Sequence, residues 1–279
     1  MNYRHAFHAG SFADVIKHVA LVAVLLHLRQ KEKPFFVIDT HAGCGLYQLD
    51  GAEAARTREA DSGIARLRDL ACQSDLPDTL RAYLECVSRE GPGRYPGSPR
   101  LAARLLRPQD RLVAIEKHPE EAEALAKALS PFPGARTILG DAYKQLPALL
   151  PPRERRGAVL IDPPYEGEDE HLRAAALLRE AHRRFATGVY LFWLPTKSRV
   201  SADALGGELH THGISPAVRI DIDIDGGSHT DQRRLSSAAL VVVNPPYTFE
   251  SEMQAAAALL APRLGRGIDA PARIATSAI

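Results

Sequence analysis

The chain has 279 residues and a mass of 30.4 kDa, enough for one large domain or one domain carrying a small insertion. Apolar residues make up 45% and charged residues 25%, a globular balance that excludes long disorder. Lysine plus arginine (35) nearly cancels aspartate plus glutamate (34), so a net charge of +1 excludes histone-like or tail-driven nucleic-acid binding, though not a local basic face. Cys44, Cys72 and Cys86 are too scattered for a disulfide framework or a CxxC site, and no metal is expected. The N-terminus lacks a signal-peptide pattern, and the longest apolar run, Val19 to Leu26, is far short of a membrane span. A cytoplasmic protein is expected.

In chain order, short β-branched runs end in Gly, Asp or Pro. Phe35 to Ile38 leads into Asp39-Thr40-His41-Ala42-Gly43-Cys44-Gly45, and Arg111 to Ile115 leads into Glu116-Lys117-His118-Pro119. Thr137 to Leu139 ends at Gly140-Asp141, Ala158 to Ile161 at Asp162-Pro163-Pro164-Tyr165, and Val189 to Trp193 at Leu194-Pro195. Nearly every position in these runs is apolar, which predicts strands buried on both faces. Pro119 to Leu129 and His171 to Phe185 read as helices between them, so the alternation predicts a parallel sheet with helices on both sides. Val218 to Ile224 and Ala238 to Val243, joined through Gly226-Gly227, read as an antiparallel addition. Between Gly45 and Arg111 there is helical periodicity and no convincing strand. Residues 50–97 are therefore expected to form a small helical insertion, closed by Gly91-Pro92-Gly93-Arg94-Tyr95-Pro96-Gly97, within a discontinuous domain of residues 1–49 and 98–279. The tail after Leu264 is weakly patterned.

The ends of the runs carry the chemistry. Asp-x-x-x-Gly-x-Gly after the first strand lets the backbone approach a nucleotide-type ligand at Gly43, although the dinucleotide fingerprint is incomplete. Glu116 at the end of the second run suits a ribose diol; its bland alternative is a helix-capping acid. Asp141 suits an adenine amino group, or simply a turn. Asp162 and the Pro163 carbonyl can both accept from one exocyclic amine, turning its delocalised lone pair toward an electrophile, while Tyr165 offers a stacking face. A second run, Asn244-Pro245-Pro246-Tyr247, contains the same residue types but closes a late strand, and reads as a decoy.

Asp-Thr-His-Ala-Gly-x-Gly with a later Asp-Pro-Pro-Tyr resembles the class I AdoMet-dependent amino-methyltransferases. Tyr3-Arg4-His5-Ala6-Phe7-His8-Ala9-Gly10, Ala13-Asp14-Val15-x-Lys17-His18, Tyr95-Pro96-Gly97-Ser98-Pro99 and Arg184-Phe185-Ala186-Thr187-Gly188 narrow the resemblance to the RlmJ family, over Tyr3 to about Pro246. The resemblance implies a Rossmann-like seven-stranded sheet, mostly parallel, with a helical insertion, and N6 methylation of a specific adenosine in 23S ribosomal RNA that is protein-free or early in assembly, by a monomer. It implies that His18, His41 and Ser98 hold the methionine part of AdoMet, that Glu116 takes the ribose, and that Asp141 with Ala142 takes the adenine. Asp162 would serve cofactor and target amine, and Tyr3 would lie against the substrate. Ala142 departs from the family's usual glycine there. Read alone, His18 is a packed histidine, Ser98 a turn residue and Tyr3 terminal packing. Arg4, Lys17, Arg56, Arg58 and Arg233-Arg234 are candidate RNA contacts. The competing readings are a DNA adenine or cytosine amino-methyltransferase, a noncatalytic RNA-binding module on the same fold and, for lack of GxGxxG a weaker one, an NAD-dependent oxidoreductase.

Overall fold

Ser11, whose hydroxyl accepts from the Asp14 amide, starts α1 (Phe12–Arg29), a helix apolar on nearly all sides. It is buried because the sheet lies on one side of it and other helices on the other. The computed structural model describes residues 5–167, 169–195, 199–225, 235–266 and 271–279. The predicted Gly226-Gly227 turn, Arg233-Arg234, Tyr3 and Arg4 lie outside these residues.

After α1 come β1 (Phe36–Asp39), β2 (Leu46–Gln48), α2 (Ala52–Thr57), α3 (Asp78–Ser88), β3 (Arg94–Pro96) and α4 (Ser98–Leu105). The doubly wound part continues with β4 (Arg111–Glu116), α5 (Pro119–Leu129), β5 (Ala135–Leu139), α6 (Ala142–Leu149), β6 (Gly157–Ile161), α7 (Glu170–Arg184), β7 (Val189–Pro195) and α8 (Arg199–Thr211). The chain ends with β8 (Ala217–Asp223), β9 (Ser237–Val243), α9 (Phe249–Leu264) and β10 (Arg273–Ala278). The main sheet has the order β10-β8-β9-β7-β6-β1-β4-β5. β7, β6, β1, β4 and β5 run parallel, and β9 inserts antiparallel between β7 and β8.

Alternation along each strand divides the core. Val37, Leu112, Leu160, Leu191 and Val242 face the side of α1, α4 and α9, whereas Ile38, Val113, Ile161, Phe192 and Val241 face α6 and α7. This two-sided burial is why the runs are apolar at every position. β5 departs from it: as the edge strand it is half exposed, with Leu139 57% accessible.

Three further expectations are corrected. The sheet has eight strands, because the weakly patterned tail forms β10 on the open edge of β8. The stretch before Arg111 contains a two-stranded ribbon, with Tyr47 on β2 opposite Tyr95 on β3, so the segment read as a closing turn is partly strand. Between them the chain is less helical than its periodicity suggests: α2 is followed by three short 3-10 turns before α3. Leu67, Leu70, Leu80 and Tyr83 of this segment are buried in the same cluster as α1.

Gly157 shows how tightly β6 approaches β1, since any Cβ there would collide with the Phe36 carbonyl oxygen. Gly157→Ala is expected to cost about 3 kcal/mol in urea unfolding, the upper end of ordinary overpacking. A change under about 0.5 kcal/mol, the scale of a neutral surface substitution, would contradict it.

Candidate active site

The C-terminal ends of β1, β4, β5 and β6 open into a cavity of about 450 Å³, of the size expected for a small-ligand pocket. It lies where the strand order reverses about β1, the switch point of a doubly wound sheet. Of the residues singled out from the sequence, His18, His41, Gly43, Ser98, Glu116, Asp141, Ala142 and Asp162 line it. Pro163 is buried, and Pro164 reaches the lining in its place. Tyr165 is half buried at φ +51°, packs against both core clusters, and donates its hydroxyl to the Trp193 carbonyl.

The loop after β1 is drawn against β4. Gly43 adopts φ +58°, and a Cβ there would strike the Tyr47 hydroxyl. Its amide donates to Glu116 Oε2 (2.9 Å), while Glu116 Oε1 accepts from the His118 amide (2.7 Å). Glu116 is therefore a brace across the crevice, and each oxygen keeps a lone pair for a ligand hydroxyl. Asp141 caps α6 by accepting from the Tyr143 amide (2.9 Å) through Oδ1, and its Oδ2 lies 3.9 Å from Lys117. One oxygen of Asp141 is thus spent on the local turn into α6, as its turn-forming reading has it. Asp14, Lys17 and Ser98 approach the same floor from outside the βα loops.

Two histidines are held neutral. Burial pushes His41 down to about 4 and His18 down to about 3. Thr40 Oγ1 donates to the Leu160 carbonyl (2.9 Å), so it accepts from His41 Nδ1 (2.8 Å); His41 Nε2 is then an acceptor. His18 Nδ1 bonds the Tyr95 hydroxyl (2.7 Å), which meets the Tyr83 hydroxyl at 3.0 Å. His18 is both the packed histidine its helix suggests and part of the cavity wall.

A charged relay under Asp162 went unread in the sequence. Lys17 Nζ donates to Asp162 Oδ2 at 2.5 Å and lies 3.0 Å from Asp14 Oδ1. Asp14 in turn accepts from His5 Nε2 (2.9 Å) and from the Gly10 amide (3.0 Å), tying the N-terminal segment to the site. Burial alone would lower the Lys17 ammonium, but Asp162 and Asp14 outweigh it and hold it above the lysine range. Burial likewise opposes ionisation of Asp14, yet His5 and Lys17 hold its carboxyl well below the usual range. Lys17 is 4% exposed and engaged by two carboxylates, which removes it from the candidate RNA contacts. The available signal was the spacing: Asp14, Lys17 and His18 share one face of an otherwise apolar helix.

Asp39 ends β1 beneath this relay and is 2% exposed. Burial pushes its carboxyl up to about 6, against the Ser98 side chain. An acid whose folded-state pKa lies above its unfolded value contributes stability below about pH 4 and loses it as pH rises through about 6. Asp39→Asn has no such proton to lose. Its stability relative to wild type is therefore expected to rise between about pH 4 and pH 8, by up to about 3 kcal/mol. Urea unfolding at the two pH values checks this, and an unchanged gap would refute it.

The second Pro-Pro-Tyr run is at the other end of the sheet. Asn244, at φ +53°, spends its side-chain amide on the carbonyls of Ala186 (2.7 Å) and Gly188 (2.8 Å), so it holds a turn.

A central parallel sheet ending in an antiparallel β9-β8 pair, with this cradle at the switch point, defines the protein as a Rossmann-like class I methyltransferase. The family model described as "RsmJ: Ribosomal RNA large subunit methyltransferase D, RlmJ" matches residues 32–272. "Ribosomal RNA large subunit methyltransferase J" of Haemophilus influenzae is 39% identical over 91% of this chain and 90% of its own length; its Escherichia coli counterpart is 40% identical over the same shares. A crystal structure of a Legionella pneumophila protein superposes with a TM-score of 0.85 and 31% identity, covering 97% of this chain and 98% of that one. The chain belongs to the RlmJ family of large-subunit ribosomal RNA methyltransferases.

Proposed function

We propose that the protein transfers one methyl group from AdoMet to the exocyclic N6 amine of an adenosine in 23S ribosomal RNA, acting as a monomer on protein-free or early-assembly RNA. The observation that carries this reading is Asp162 at the mouth of β6, its Oδ2 held by Lys17, beside a cradle whose glycine and carboxylate fit a nucleoside. The DNA and noncatalytic readings gain nothing from the relatives, which are ribosomal RNA methyltransferases by name. The same reading takes residues 50–97 as the inserted subdomain.

The cradle fits AdoMet on its own terms. Gly43 lines the crevice with bare backbone, Glu116 retains lone pairs for two ribose hydroxyls, and Asp141 with Ala142 stands where the base would lie. His18, neutral His41 and Ser98 surround the place for the methionine end. AdoMet, when bound, supplies a sulfonium methyl as the electrophile. Asp162 Oδ1 and the Pro163 carbonyl accept from the two N6 hydrogens and aim the nitrogen lone pair along the transfer axis. Tyr165, pinned through its hydroxyl, offers its ring to a base turned out of its stack. Asp162 or solvent would take the proton that the nitrogen sheds on methylation. Tyr3 and Arg4 complete the substrate side in this proposal.

The test is transfer of labelled methyl to protein-free 23S ribosomal RNA lacking the modification, followed by digestion to nucleosides. N6-methyladenosine is the expected product. Transfer to duplex DNA in its place would overturn the RNA assignment and retain the chemistry.

A further inference from the structure

At the opposite end of the sheet, where β1, β6 and β7 begin, a second hollow shares no residue with the first. It is lined by the turn before β1 (Lys31, Lys33), the turn before β6 (Arg155, Arg156) and the Asn244–Tyr247 turn. Tyr247 is 85% exposed, far more than Leu139 or Leu172, the other large apolar side chains that stand out among the described residues. The turn that presents it is anchored on several sides. Two prolines precede it, the Asn244 amide is tied to two carbonyls, the Phe249 amide donates to the Pro246 carbonyl (2.8 Å), and the His27 ring meets Tyr247 edge-on at 5.5 Å.

The lysines stand on an equally fixed turn. Arg107 donates to the carbonyls of Arg29, Lys31 and Lys33, and Arg156 to those of Leu28 and Lys33, with both guanidiniums over the Phe35 ring. Lys31, Lys33 and Arg155 are exposed and make no ion pair among the described residues. Of the two acids in the hollow, Glu32 and Glu154, the latter is engaged by Arg111 at 2.7 and 3.0 Å and by Arg153 at 3.1 Å. That leaves the exposed Glu32 against Lys31, Lys33 and Arg155, so the charge facing solvent is net positive. His27 registers that field: beyond burial, Arg156 and Lys31 lower its affinity for a proton.

A solvent-facing aromatic ring on an anchored turn, with unpaired cations lining the same hollow, is the construction that grips single-stranded nucleic acid. We propose that this hollow is a second RNA-binding site, where Tyr247 stacks on an unpaired base and Lys31, Lys33 and Arg155 hold the adjoining phosphates. The proposal rests on the reading of the protein as an RNA methyltransferase. Lys17, which bonds Asp162, and His27, which touches Tyr247, are ten residues apart on α1, about 15 Å along its axis. This offset along α1 is short beside one helical turn of a nucleic-acid duplex, roughly 34 Å, which puts both ends within reach of a folded RNA in this proposal. The run set aside as a decoy for catalysis thus contributes its tyrosine to holding the substrate.

The test uses the full chain as wild type, Tyr247→Ala and the double variant Lys31→Glu/Lys33→Glu. Both variants alter exposed side chains outside the methyl-transfer crevice. Each is expected to raise KM for unmodified 23S ribosomal RNA by about 5- to 30-fold, with kcat and AdoMet affinity within about 2-fold of wild type. The double variant also flattens the dependence of RNA affinity on salt. A photoreactive thiouridine-containing oligouridylate of about 12 nucleotides is expected to crosslink to the peptide containing Tyr247. Wild-type KM in both variants together with no crosslink there would overturn the second site and leave the methyl-transfer reading intact. A crosslink at Tyr247 with no methyl transfer to RNA by wild type would do the reverse. Protection of the hollow by an acidic polypeptide and not by RNA would also overturn it.

Discussion

Asp162→Asn is expected to lower kcat for methyl transfer to 23S ribosomal RNA by about 10²- to 10³-fold, the scale of losing one oriented polar group at a reacting centre. The substitution conserves size but reverses polarity where it matters. The Lys17 ammonium, a donor 2.5 Å from Oδ2, draws the amide oxygen toward itself. The amide nitrogen then faces the target amine, setting donor against donor where an acceptor is needed. Single-turnover rates with saturating AdoMet isolate this step, and calorimetric titration reports cofactor binding separately. A variant retaining more than about a tenth of the wild-type rate would show that the amine is aimed by other groups.

Removing the cation acts on the fold as well as the chemistry. Lys17→Met would leave the Asp14 and Asp162 carboxylates without the ammonium between them, Asp14 being 1% and Asp162 17% exposed at the side chain. Breaking a buried ion pair from one side costs about 3–5 kcal/mol, which for a chain of this size is a Tm loss of roughly 6–20 °C. Activity is expected to fall with it, because Asp162 loses the bond that fixes its orientation. The double variant Lys17→Met/Asp162→Asn separates the two effects. It removes one of the stranded charges, so Tm recovers in part while activity does not. If the single substitution leaves Tm within about 2 °C of wild type, the relay does not stabilise the folded state.

How much of this was legible in advance depends on how far apart the participating residues are. Runs such as Val37-Ile38 and Val159-Leu160-Ile161 announce strands covered on both faces, because each residue meets its burial through its own side of the sheet. The residues at their ends follow from the same logic. Glu116, Asp141 and Asp162 stand where parallel strands release the chain, which is where such sheets bind ligands. Helix α5 could be bounded from Pro119 and its Ala-Glu-Leu pattern alone.

Other features have no local signature. β10 is mostly exposed and became a strand because β8 left an open edge to pair with, and the ribbon of Tyr47 and Tyr95 joins segments almost fifty residues apart. Lys17 reads as a surface cation until α1 is laid against β6, 145 residues onward, where burial and Asp162 turn it into a structural charge. Tyr247 reads as part of a turn until the folds of α1 and β6 bring lysines and arginines around it. Periodicity records which face of an element meets apolar neighbours, so the sequence by itself determined the parallel strands, their order of appearance and the ligand-facing loop ends. Which charges pair, which edges are completed and which aromatic is left in a basic hollow are properties of contacts between distant segments, and only the tertiary structure decided them.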